Sequence, residues 1–104
     1  MIKTANAVYT GGNIWLFFGE LDDGTCYLVD DNGSVRITDA PWDDFDRTLF
    51  DEWQDEHLVR DIEDEDERIE FCDELCDKLH AIGKLNGLTH EEIDAYRKWF
   101  REPL

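Results

Sequence analysis

The spacing of apolar residues changes once along this chain, at Thr38, from a period of two to about 3.6, and that change divides what its two parts can become. Up to Thr38, short runs of aliphatic and aromatic residues alternate with turn signals. Ala7-Val8-Tyr9 ends at Thr10-Gly11-Gly12-Asn13, and Ile14-Trp15-Leu16-Phe17-Phe18 then runs apolar on both faces to Gly19, the pattern of a central strand covered on both sides. Asp22-Asp23-Gly24 turns the chain into Thr25-Cys26-Tyr27-Leu28-Val29. Asp30-Asp31-Asn32-Gly33 turns it again into Ser34-Val35-Arg36-Ile37-Thr38. Residues 1–38 therefore read as an antiparallel β-meander of three to four strands.

Beyond Thr38 the pattern is helical. Asp39 is suited to a cap with Pro41 in the first turn, and Trp42, Phe45, Leu49 and Trp53 fall on one stripe; the periodicity fits one helix or two short ones over 39–62. A second helix is expected from about Asp64 to Ile82, with Ile69, Cys72, Leu75, Cys76, Leu79 and Ile82 on its buried side and Gly83 near its end. A third starts at Thr89, where Thr-His-Glu-Glu makes a capping box with Glu92, and turns Ile93, Tyr96, Trp99 and Phe100 inward, with Pro103 beyond it. The expected fold class is α+β: one domain over 1–104, a meander over 1–38 and a helical part over 39–104 whose roughly three helices pack on the sheet. A length of 104 residues suffices for a single core, and 41% hydrophobic residues, including four Trp and six Phe, supply the apolar area that disordered acidic chains lack.

Negative charge is crowded into one stretch. Of 27 acidic residues, 18 lie between Asp39 and Asp77, opposed only by Arg47, Arg60 and Arg68, a local net charge of −15. Residues 1–38 carry −3 and residues 78–104 carry +1. Such a field repels nucleic acid and membrane headgroups and attracts proteins with basic grooves. On the second helix Asp66, Glu70, Asp73, Glu74 and Asp77 recur every three or four residues, with carboxylates about 4.5 to 6 Å apart along one face. The eight acids from Asp64 to Asp77 amount to one charge per roughly 2.6 Å of helix. Duplex DNA carries one per about 1.7 Å of axis, or 3.4 Å per strand. The preceding segment adds Asp43, Asp44, Asp46, Asp51, Glu52, Asp55 and Glu56, a second row if the two helices lie side by side. Acidic runs are commonly solvated faces, but such faces intersperse Lys at four-residue steps, and here there is no Lys between Asp39 and Asp77.

Other chemistry is sparse. Cys72, Cys76 and His80 stand at i, i+4 and i+8, but the outer two are about 12 Å apart along a helix, too far for one zinc. Asp30-Asp31-Asn32-Gly33 lacks the alternating acids and final Glu of a calcium loop. There is no P-loop, nucleophile elbow, His-Glu-x-x-His or Gly-rich dinucleotide turn, and His57 beside Glu56 reads as a surface histidine. No enzyme, metal site or cofactor is expected. Three cysteines, an odd number, read as free buried thiols in a reducing compartment. With no export signal and no apolar run near the roughly 20 residues a membrane span requires, a cytoplasmic location is expected. Trp42, Phe45, Phe50 and Trp53 are candidate interface anchors where exposed.

In size, acidity and charge placement the chain resembles the anti-CRISPR and anti-restriction nucleic-acid mimics of phages and mobile elements. That resemblance implies a non-enzymatic inhibitor that occupies the nucleic-acid groove of a CRISPR effector, restriction enzyme or other nuclease. The segment Tyr9-Thr10-Gly11-Gly12-Asn13-Ile14-Trp15, with Glu52-Trp53-Gln54, is also similar to uncharacterised small proteins of gut Firmicutes and their mobile elements, which carry no activity to transfer. The expected partner is a basic nucleic-acid-binding protein, not nucleic acid itself and not a membrane. The residues expected to meet it are Asp43, Asp46, Asp51, Glu52, Asp55, Glu56, Asp66, Glu70, Asp73, Glu74 and Asp77. The alternatives are an immunity protein or antitoxin that neutralises a basic toxin through an acidic and aromatic patch, and an adaptor whose acidic face is merely solvated.

Overall fold

The computed structural model describes residues 1–10, 15–42 and 50–102, and for Phe50 and Asp51 the backbone alone. Five strands form one antiparallel sheet in chain order: β1 (Asn6–Tyr9), β2 (Trp15–Glu20), β3 (Cys26–Val29), β4 (Val35–Thr38) and β5 (Leu58–Asp61). Among the described residues three helices accompany them: α1 (Phe50–His57) before β5, then α2 (Glu65–Ile82) and α3 (His90–Arg101). The α+β class and the N-terminal meander are those expected, and the sheet has one strand more. β5 lies inside the stretch read as helical. Leu58-Val59-Arg60-Asp61 is too short for a period of its own, and it becomes a strand because β4 offers it a free edge. The pairing is irregular: Ile37 faces Arg60 and Thr38 faces Leu58, so Val59 is the extra residue of a bulge.

Side-chain alternation gives the sheet two apolar faces. The register aligns Ala7, Phe17, Val29 and Val35 across β1 to β4, with Tyr27 beside Ile37, and this face is buried under α2 and α3. Leu16, Phe18 and Leu28 point the other way, against Trp42 and Trp53. β2 is thus covered on both sides, as its unbroken apolar run requires. Asp39, Pro41 and Trp42 belong to no helix, against the expected cap and first turn there, while Phe45 and Leu49 of the proposed stripe lie outside the described residues.

Helix ends follow the local chemistry. The Asp64 carboxylate accepts the Glu67 amide at 3.1 Å, and at α3 the Thr89 hydroxyl accepts the Glu92 amide at 3.1 Å while Glu92 accepts from the Thr89 amide at 3.2 Å. Cys72, Leu75, Cys76 and Leu79 form the buried stripe of α2. Ile82, expected on that stripe, is 60% exposed: it is the last residue of α2, and the chain turns at Gly83 to lay Lys84 along β1. On α3, Ile93 and Phe100 are buried and Tyr96 half-buried, but Trp99 is exposed. At about 100° per residue Trp99 sits about 100° away from the stripe those three share.

Gly19 is required by close approach, since a Cβ there would lie 2.1 Å from the Thr4 carbonyl oxygen and 2.8 Å from the Tyr27 hydroxyl, which itself donates to Thr4 at 2.7 Å. Gly19→Ala should lower stability by roughly 1–3 kcal/mol in chemical denaturation, the cost of overpacking; a neutral result would contradict the packing described. The three cysteines are free and buried. Burial pushes the Cys72 and Cys76 thiols up to about 12 from an ordinary 9.0. The folded chain keeps these protons to higher pH than the unfolded one, so the stability they contribute is full below pH 9.0 and declines as pH rises toward about 12. Melting temperature should therefore fall with pH in that window. The fall should be shallower in a Cys72→Ala, Cys76→Ala variant, whose remaining slope includes Tyr27, a hydroxyl that burial also pushes up.

Candidate interaction surface

The acids of α1 and α2 are placed by the faces those helices bury. Trp53 and Gln54 turn α1 toward the sheet, which leaves Glu52, Asp55 and Glu56 exposed. Gln54 accepts a hydrogen bond from Arg36 on β4, and His57 meets the Asp39 carboxylate at 2.7 Å and stacks near Trp53. At the sheet edge Arg36 pairs with Asp61 at 3.4 Å, and Arg60 pairs with Glu67 at 3.2 Å. Because α1 and α2 cover opposite faces of the sheet, their acids do not form two parallel rows. They flank β5 instead, one group on each side of it.

The row expected along α2 divides in two. Asp66 and Glu70 are exposed and have no cation partner among the described residues. Further along, α3 lies beside α2 and turns the arginines of its last turns onto the row. Arg101 Nε donates to Asp73 at 3.0 Å, Arg97 stands 3.6 Å from Asp73, and Arg97 also donates to Asp77. Hydrogen bonding to Asp77 holds the Arg97 guanidinium above its usual value, and hydrogen bonding to Asp73 does the same for Arg101. The Glu74 carboxylate accepts the Ile2 amide at 3.1 and 3.3 Å. The repulsion along α2 is therefore relieved at Asp73 and Asp77, by cations from a different helix, which counting four residues up and down one helix does not see.

Asp43 and Asp46 lie outside the described residues, and Asp51 is described only as α1 backbone. Glu52, Asp55, Glu56, Asp66 and Glu70 are exposed on the two flanks of β5, joined there by Glu63 and Glu65. Asp73, Glu74 and Asp77 are occupied within the fold. The expected aromatic anchors are placed elsewhere too: Trp42 is 7% exposed and Trp53 half-buried. Phe45 and the Phe50 side chain lie outside the described residues, among which the exposed aromatics are Tyr9 and Trp99. Two shallow clefts meet at Tyr96, one lined with Tyr9, Trp15, Asn86 and Glu92 and the other with Asp31 and Trp99. The 3.6 period of α3 already separated Trp99 from its buried stripe, and that was the available signal.

Among the described residues no group of three His, Cys, Asp or Glu side chains is close enough to hold a metal ion, and no helix is long and apolar enough to cross a membrane. The chain matches no protein-family model, no curated protein and no solved structure.

Removing an uncompensated acid and removing a compensating cation should have opposite effects. Arg97→Gln should lower stability by about 1 kcal/mol or less, with the loss fading as salt rises. Asp66→Asn with Glu70→Gln should raise the melting temperature at low ionic strength. Equal effects of the two changes would contradict the division of the row.

Proposed function

We propose that this chain is a non-enzymatic inhibitor that binds the basic nucleic-acid groove of a DNA- or RNA-handling protein, its exposed carboxylates standing in for phosphates. The observation that supports this reading best is the grouping of exposed acids with no cation partner among the described residues, Glu52, Asp55, Glu56, Asp66 and Glu70, around one edge of the sheet. Their charge is available to a partner's lysines and arginines, with release of counterions as in nucleic-acid binding. The inhibitor acts in the cytoplasm, where such enzymes work. A CRISPR effector, restriction enzyme or other nuclease is the kind of partner that fits, as it does for the counter-defence proteins the chain resembles in charge placement.

A second reading, an immunity protein or antitoxin against a basic toxin, is favoured by the aromatic surface at Tyr9, Trp15, Tyr96 and Trp99 beside Asp31. Exposed Tyr and Trp next to acids suit a desolvated anchor that tolerates salt.

Capture of basic proteins from a bacterial lysate on the immobilised chain separates the two. Reversing Glu52, Glu56, Asp66 and Glu70 to Lys should abolish capture while the circular dichroism spectrum stays unchanged, and Trp99→Ala should leave it intact. Capture by the folded charge-reversed variant, lost instead on Trp99→Ala, would overturn the mimic reading in favour of the second.

A further inference from the structure

The sheet has two edges and the fold treats them differently. Along β1 the chain between α2 and α3 closes the edge: the Ala7 amide donates to the Lys84 carbonyl at 2.9 Å, the Lys84 amide to Ala5 at 3.0 Å, and the Asn86 side chain to the Ala7 carbonyl at 2.8 Å. No such cover lies along β5 among the described residues. All four residues of β5 are exposed, including Leu58 at 42% and Val59 at 54%. The Ile62 amide donates to Val35 at 3.0 Å, so strand alternation turns the amide and carbonyl of Asp61 away from β4 toward solvent. Val59, as the bulge residue, has no opposite number on β4.

An open edge carrying apolar side chains is a template for another strand. Charge decides which strand. Between residues 55 and 66 there are seven acids and one arginine, a net −6. A second copy of this chain pairing there would bring −6 against −6, whereas a cationic segment meets an opposite field. Beside β5 on the α1 face lies a cleft of about 450 Å³ lined by Arg36, Gln54, Asp55, Leu58 and Asp61. A strand added to β5 would point every second side chain to that face, where Asp55, with no cation partner among the described residues, suits a lysine or arginine and Leu58 suits the stem of its side chain, while Asp61 is held by Arg36.

We propose that β5 takes an extended, lysine- or arginine-bearing segment of the partner protein as a sixth strand. This rests on the reading that the partner is basic and adds how it is held: backbone pairing at Asp61, with acids on both flanks selecting a cationic sequence.

The test uses the full chain, labelled with nitrogen-15, and three capped eight-residue peptides: alternating Lys-Val, the same peptide N-methylated at alternate residues, and alternating Glu-Val. The Lys-Val peptide, at ten times its Kd, should shift the amides of 58–61 and slow hydrogen exchange at the Asp61 amide about tenfold, and the other two should not. Equal shifts at Glu52, Glu56, Asp66 and Glu70 from both cationic peptides, with the Asp61 amide unprotected, would overturn strand addition and leave the acidic-surface reading standing. Binding by neither cationic peptide would overturn both. Protection at Asp61 that grows with protein concentration in the absence of peptide would place a second copy on the edge and overturn the proposal.

Discussion

The fold depends on one apolar seam. Cys72, Leu75, Cys76 and Leu79 of α2 are buried against the sheet face made by Ala7, Phe17, Tyr27, Val29, Val35 and Ile37. Removing this area from water is the main stabilising term available to so small a domain. Other contacts are organised around it. Phe17 meets Tyr96 and Phe100 of α3 edge-on, with ring centres 5.4 and 5.9 Å apart, so α3 is fixed to the same face. Arg68 on α2 reaches across to the carbonyls of Gly33 and Phe100 at 3.4 and 3.1 Å, tying the β3–β4 turn and α3 to one helix. Gly33 has a φ of +82°, and a Cβ there would lie 2.9 Å from the Arg68 guanidinium, so the turn and its tether need the same residue.

The seam also sorts the charge. With its apolar stripe against the sheet and α3 on one side, α2 presents Asp73 and Asp77 to Arg97 and Arg101, while Asp66 and Glu70 are left outward. The cationic C-terminal turns of α3 are placed favourably for their own helix dipole as well. α1 lies on the opposite sheet face, and β5 joins it to α2 along the sheet edge, so exposed acids come to both flanks of a strand that nothing covers among the described residues. The net −6 carried between residues 55 and 66 thereby has a definite place on the fold.

Much of the architecture was legible because its signals are local. Asp22-Asp23-Gly24 and Asp30-Asp31-Asn32-Gly33 turn the chain where expected, with the Asp30 carboxylate accepting the Asn32 and Ser34 amides at 2.9 and 3.0 Å. α2 starts where expected, with Asp64 as its cap, and Thr89 caps α3 as expected. What escaped depends on contacts between distant parts. β5 exists through its pairing with β4, and the relief of Asp73 and Asp77 comes from residues 20 to 28 positions away. Of the candidate surface, the flanks Glu52, Asp55, Glu56, Asp66 and Glu70 were readable from helical period alone. The partition between unpaired and neutralised acids was not, since Asp73 lies on the same repeat as Asp66 and Glu70.

The most direct test of the central claim is the affinity of the chain for a nuclease or CRISPR effector it captures, measured across a salt series with and without competing duplex DNA. Mimicry predicts that log affinity falls linearly with log salt, and that DNA and the chain exclude one another from the partner. A salt-insensitive affinity with a stable complex of partner, DNA and chain together would contradict it.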